Sequence, residues 1–130
     1  MIILTIRTDK PESELGIYND TEKVSYIAWQ ADRQLAETIH LKMKELLDNQ
    51  KLTFDSIEGI NVFKGPGSFT GLRIGITVAN ALAYGLEQPI IGSDTDEWIQ
   101  KGIKKLLSGK NDNVVIPEYG AEPHITKPRK

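Results

Sequence analysis

The stretch whose residue types and spacing come closest to chemistry is Gly65-Pro-Gly-Ser-Phe-Thr-Gly-Leu-Arg-Ile-Gly75. Glycines this dense, ahead of a long apolar run, put backbone N–H groups at a helix start, where an anion can sit. Two phosphate-binding patterns nevertheless fail. A Walker A loop needs Gly-Lys-Ser/Thr after its first glycine and four intervening residues, and neither Gly65 nor Gly67 leads to such a pair. The dinucleotide fingerprint Gly-x-Gly-x-x-Gly fails because Gly71 falls one residue late. Ser68 is the tempting nucleophile, but it lacks the Gly-x-Ser-x-Gly setting and no histidine is near it in sequence. Helix capping suits Ser68 better, and Thr70 reads as a helix-start residue.

Composition closes several other routes. The chain has 130 residues and no cysteine, so it is one domain's worth without a disulfide, a thiol nucleophile or a thiolate-bound metal. His40 and His124 are the two histidines, too few for a histidine-rich metal site, and His40 reads as a surface residue. No metal or other cofactor is expected. Sixteen basic against eighteen acidic residues give a net charge of -2, which argues against a broad nucleic-acid surface. No apolar run reaches the roughly 18 residues of a membrane span, and no basic segment precedes the first apolar run as in a signal peptide. A cytoplasmic location without membrane contact is the expectation. At 39% hydrophobic and 26% charged residues, a packed core is expected.

The elements that must position the glycine-rich segment follow from apolar periodicity. Met1 to Ile6 is β-branched and apolar, suiting a strand buried on both faces. Leu15–Tyr18 and Lys23–Trp29 read as a hairpin around Asn19-Asp20-Thr21-Glu22. Arg33 to Asn49 reads as a helix, because Leu35, Ile39, Met43, Leu46 and Leu47 fill one arc of roughly 120°. Ser56 to Lys64 reads as a central strand, Ser68 to Leu86 as a helix and Pro89 to Gly92 as a short buried strand. Ser93 to Leu107 reads as a third helix, with a capping box from Asp94 to Glu97 and an apolar face of Trp98, Ile99, Ile103, Leu106 and Leu107. The order β-β-β-α-β-α-β-α demands an α/β domain with a mixed five-stranded sheet. Residues 1–110 form this lobe; residues 111–130 read as an extended tail that adds at most one edge strand.

The second helix is unusual. Gly71, Gly75, Ala79 and Ala83 recur every four residues as a small-residue ridge. With Leu72, Ile74, Ile76, Val78, Leu82 and Leu86 they give an apolar or small arc of roughly 220°, about twice what one buried face needs. Such a helix must be covered twice. Its own sheet supplies one cover. A neighbouring helix of the same chain or a helix of another chain would supply the second, since small ridges admit a close backbone. The pattern alone leaves both open.

Lys64-Gly-Pro-Gly-Ser-Phe-Thr-Gly-Leu-Arg-Ile-Gly-Ile76 resembles the signature of the TsaB (YeaZ) family, whose members serve the synthesis of threonylcarbamoyladenosine in tRNA. The likeness covers about residues 1–100, and the ending from Pro117 to Lys130 is also similar to that family's last residues. It implies a single actin-like, ribonuclease-H-like lobe of the ASKHA superfamily. It further implies a non-catalytic subunit that pairs with the catalytic paralogue TsaD through a helical interface. With the ATPase TsaE, the pair supports threonylcarbamoyl transfer to the adenosine beside the anticodon. Members of the family also self-pair through the same region, and tRNA is met only through the complex. The interface implied here is Gly67, Ser68, Phe69, Thr70, Gly71, Leu72, Arg73, Gly75, Ile76, Ala79 and Ala83. The small ridge would admit the partner helix, Leu72 and Ile76 would supply apolar surface, and Arg73 would sit at the rim or against a loop of its own chain. Gly75→Leu is then expected to abolish pairing in a folded chain.

Three departures from the family pattern bear on the competing reading, a nucleotide-dependent actin-like kinase or ATPase. Family members carry Ile-Asp-Thr-Ser after the first strand; here the residues are Ile6-Arg7-Thr8-Asp9, so an arginine replaces the superfamily's phosphate-loop aspartate. Asp9 would have to shift into that place. The family's His-Ser-Glu appears as Leu35-Ala36-Glu37. The family's second lobe is expected to be missing, which removes half of an interlobe nucleotide cleft.

Overall fold

A computed structural model describes residues 1–67 and 69–119 of the chain. The elements are β1 (Ile2–Arg7), β2 (Glu12–Asn19), β3 (Glu22–Gln30), α1 (Leu35–Asn49), β4 (Gly59–Phe63), α2 (Phe69–Leu86), β5 (Ile90–Ser93) and α3 (Trp98–Leu107). The expected order is the observed one. The five strands form one sheet in the order β3-β2-β1-β4-β5. β1 pairs antiparallel with β2 and parallel with β4, and β4 pairs parallel with β5, so the sheet is mixed.

Side-chain alternation sorts the sheet into two faces. Leu4, Ile6, Leu15, Ile17, Ile60 and Val62 meet α1 and α2 in the main core. Ile3, Tyr18 and Ile91 meet Ile103 and Leu106 of α3 on the other face. β1 is apolar at nearly every position because helices cover both its faces. β3 lies at the sheet edge and alternates half-buried with exposed residues. Its hairpin with β2 turns at Asp20, which adopts a φ of 55° that Asx residues tolerate.

The boundaries differ from expectation where polar residues occupy strand positions. β2 starts at Glu12, not Leu15, because Glu12, Ser13 and Glu14 pair with Gln30, Trp29 and Ala28. α3 starts at Trp98, not Ser93. Ser93 is the buried end of β5 and donates its hydroxyl to Asn61 Oδ1 at 2.7 Å. Thr95 has a φ of 71°, which breaks any helix there, and Glu97 at the helix start makes no side-chain capping bond. The Asp94–Glu97 capping box is therefore not formed. Leu107 is 44% exposed and lies off the buried face of α3.

After α3 the chain returns along β5. Asp112 donates its N–H to the Ile90 carbonyl at 2.8 Å, and its carboxylate accepts from Gly92 N–H at 2.9 Å. Asn80 of α2 clamps Val115 with two bonds of 2.9 Å, one to its carbonyl and one from its N–H. Among the described residues no sixth strand forms; one bridge joins Gly67 to Tyr119. Ser68 and residues 120–130, including His124, Lys127, Arg129 and Lys130, lie outside the described residues.

Candidate functional site

The glycine-rich segment sits where β4 ends and α2 begins, between the β1–β2 connection and residues 118–119. Gly65 has a φ of 122°, open to glycine, and the Gly65–Pro66 bond is cis. Any Cβ on Gly65 would meet the Glu118 carbonyl oxygen, and one on Gly67 would come within 2.6 Å of Asp9 Cβ. The glycines are therefore needed for close chain contact on both sides of the turn.

The ridge on α2 behaves in the same way. Cβ atoms on Gly71 and Gly75 would strike the Thr8 carbonyl oxygen and the Thr8 Oγ1. Thr8 Oγ1 donates to the Gly71 carbonyl at 2.7 Å and fixes that contact. Ala79 and Ala83 are 0% and 3% exposed, packed in the core with Leu72 and Ile76. This corrects the expected geometry. The backbone that the small ridge admits is the chain's own β1–β2 connection, and Gly71, Leu72, Gly75, Ile76, Ala79 and Ala83 are turned inward. A helix wheel shows that a backbone can approach; it does not show whose backbone. Gly67 is likewise partly covered, by Asp9 and Tyr119.

The outer side of α2 carries different residues. Thr70, Arg73, Thr77, Ala81 and Tyr84 are exposed, and Ile74, Val78 and Leu82 are half-buried against the core. Tyr84 is 88% exposed, and on α1 Leu41 is 67% exposed. Of the expected interface residues, Thr70 and Arg73 thus reach solvent. Leu41, Ile74, Val78, Leu82 and Tyr84 were not among them. The signal for Leu41 was present: it is an apolar residue lying off the Leu35–Ile39–Met43 stripe.

At the C-terminal ends of β1 and β4, Arg7 forms a fork with Asp9. Its Nε donates to Oδ1 at 2.8 Å and its terminal nitrogen to Oδ2 at 3.2 Å. The guanidinium lies 3.9 Å from the Phe63 ring centroid, and Phe63 packs edge-on against Trp98. Burial by itself would lower the Arg7 pKa. The Asp9 hydrogen bond and the Asp9, Glu14 and Asp96 charges outweigh it and raise the pKa above the ordinary arginine value. Both Asp9 oxygens are thus held by Arg7. Among the described residues, no cluster of three or more His, Asp or Glu side chains could hold a metal ion. No helix among them is long and apolar enough to cross a membrane. His40 is exposed, as expected.

Comparison with known proteins places this geometry. The family model of TsaD, tRNA N6-adenosine threonylcarbamoyltransferase, matches residues 29–121. The tRNA threonylcarbamoyladenosine biosynthesis protein TsaB of Escherichia coli is 30% identical over 114 residues, covering 83% of this chain and 49% of that protein. The tRNA N6-adenosine threonylcarbamoyltransferase of Geotalea daltonii is 45% identical over 62 residues, 48% of this chain and 18% of that protein. The structure of YeaZ from Pseudomonas aeruginosa superposes with a TM-score of 0.66 at 24% identity, over 72% of this chain and 43% of that one. The fold is therefore the actin-like one. The chain spans about half the length of the TsaB relative, and less of the transferase.

Proposed function

The chain belongs to the TsaD family as a TsaB/YeaZ-like member, and from that premise we propose that it is an accessory subunit for tRNA threonylcarbamoyladenosine synthesis that pairs with a TsaD-like catalytic subunit. Its chemistry is binding. The observation that carries this reading is the outer side of α2, where Ile74, Val78 and Leu82 stay partly exposed beside the exposed Tyr84 and Ala81, with Leu41 of α1 exposed as well. Single exposed apolar residues need no explanation, but a run along one helix does. The partner helix lies along this side, over Thr70, Arg73, Thr77 and Tyr84, and the inward ridge only sets the height of α2 above the sheet. A TsaE-like ATPase joins the pair, tRNA is met through the assembled complex, and without its partner the chain self-pairs through the same side. The complex works in the cytoplasm.

The Arg7–Asp9 fork supports an accessory rather than a phosphotransfer role, since a fixed cation and its carboxylate fill the end of β1. The match to transferases keeps the nucleotide-dependent reading as the competitor. Calorimetry with ATP and Mg²⁺ separates them: the proposal expects no micromolar binding by this chain alone.

The decisive experiment is co-expression with the TsaD-like protein of the same organism, followed by size-exclusion chromatography and a tRNA modification assay. Ala81→Glu combined with Tyr84→Ala should abolish co-elution and modification while the chain remains folded by circular dichroism. Co-elution that survives this double substitution sinks the proposed surface.

A further inference from the structure

A concavity lies at the N-terminal end of α2. It has a volume of about 760 Å³ and is bounded by the β1–β2 connection, the β3–α1 junction and the first turn of α2. That volume lies in the range of small-molecule clefts, roughly 300–1,000 Å³. It does not belong to the Arg7–Asp9 position. Arg7 faces Glu14 across the strand pair, and Ser13, the neighbour of Glu14, points to the opposite sheet face.

Ser13 is the unexplained residue. It is 0% exposed, it lines this cleft, and its hydroxyl has no hydrogen-bond partner among the described residues. A buried hydroxyl left unmatched forfeits its hydration without a replacement bond, so native chains rarely keep one without a use. The rim supplies two cations, Lys10 and Arg33, and neither forms an ion pair among the described residues. The single rim carboxylate, Asp32, already accepts from Gln30 Nε2 at 3.2 Å. The α2 N-terminus at Thr70 and Gly71 opens into the same cleft, with the positive end of its dipole. Pro11, Ala31, Leu35 and Ile74 form an apolar wall.

We propose that this cleft binds a small organic anion, a carboxylate or phosphate monoester with an apolar body. The head lies between Lys10, Arg33 and the α2 N-terminus, the body lies on the apolar wall, and an acceptor on the ligand accepts a hydrogen bond from the Ser13 hydroxyl. Thr70 and Ile74 border both this cleft and the proposed pairing side, and the ligand needs no partner subunit, so binding is tested on the chain alone.

The test is an amide-resolved NMR titration of the full chain with phenyl phosphate, benzoate and inorganic phosphate. Phenyl phosphate or benzoate should shift, saturably, the amides of residues 8–13, 30–35 and 70–74, and the tighter of the two identifies the head group. Inorganic phosphate should bind at least about tenfold more weakly, since it lacks the body that the wall takes. Lys10→Gln with Arg33→Gln, both exposed positions, should weaken binding at least about tenfold. Ser13→Ala should weaken it by about threefold without lowering the melting temperature. Saturable shifts elsewhere, no shifts, or binding indifferent to the double substitution overturns the proposal. Inorganic phosphate binding as tightly as phenyl phosphate overturns the organic body. Unchanged affinity in Ser13→Ala overturns the proposal as well.

Discussion

Thr8 fills the notch that Gly71 and Gly75 leave in α2, with its hydroxyl on the Gly71 carbonyl. Gly75→Ala sets two effects against each other. Alanine favours a helix interior by up to about 1 kcal/mol over glycine. Its methyl, however, would collide with Thr8 Oγ1, Cγ2 and Cβ, and overpacking of a fitted core typically costs about 1–3 kcal/mol. The steric effect should win, so Gly75→Ala is expected to destabilise by about 1–2 kcal/mol in urea unfolding. Thr8→Ala alone loses one hydrogen bond, about 1 kcal/mol. Together they should cost clearly less than their sum, because the second substitution removes the obstacle to the first. Strict additivity would mean that Thr8 is not what excludes a side chain at Gly75. The same contact disqualifies Gly75→Leu as a probe of pairing: the larger side chain would damage the fold first.

Among the elements, the strands and helices with one clear period were legible. Leu35, Ile39 and Met43 mark α1, and the Asn19-Asp20 turn marks the hairpin. Elements positioned by tertiary polar contacts were not. The start of α3 depends on Ser93 reaching Asn61, and residues 111–115 are placed by Asn80, Asp112 and Asn111. A sequence window holds no trace of partners 20 to 35 residues away. The candidate site was legible in the same uneven way. The signature segment located α2 correctly, but burial decides which of its sides faces outward, and Thr8 lies 63 residues from Gly71. Asn80 gives this scale its prediction. It clamps the returning segment to α2 through two bonds to Val115. Asn80→Ala should cost about 1–2 kcal/mol. Its sharper signature is faster hydrogen exchange at the Val115 amide and quicker proteolytic cleavage within residues 110–119, with exchange in β1 and β4 following only the global change. Unchanged protection at Val115 would show that Val115 burial, not the asparagine, holds the segment.

For the whole molecule, net charge and the proposed surface together define how pairing should respond to solution conditions. A net charge of -2 gives weak long-range steering. The outer side of α2 offers Ile74, Val78, Leu82 and Tyr84, and Leu41 stands out on α1. Apolar burial leaves a negative heat-capacity change, whereas pairing through charges leaves a salt dependence, since ion pairs on a surface are screened within about 10 Å at 0.1 M salt. A single lobe that offers one helix side and its neighbour should bury about 1,600 Å² or less in total. Calorimetry against the TsaD-like partner is therefore expected to show a clearly negative heat-capacity change and an affinity that moves less than about threefold between roughly 0.1 and 0.5 M salt. A steep loss of affinity with salt and a heat-capacity change near zero would transfer the interface to charged groups, with Arg73 of α2 the first to substitute. The accessory role would then survive with a different surface, and the apolar run along α2 would need another occupant.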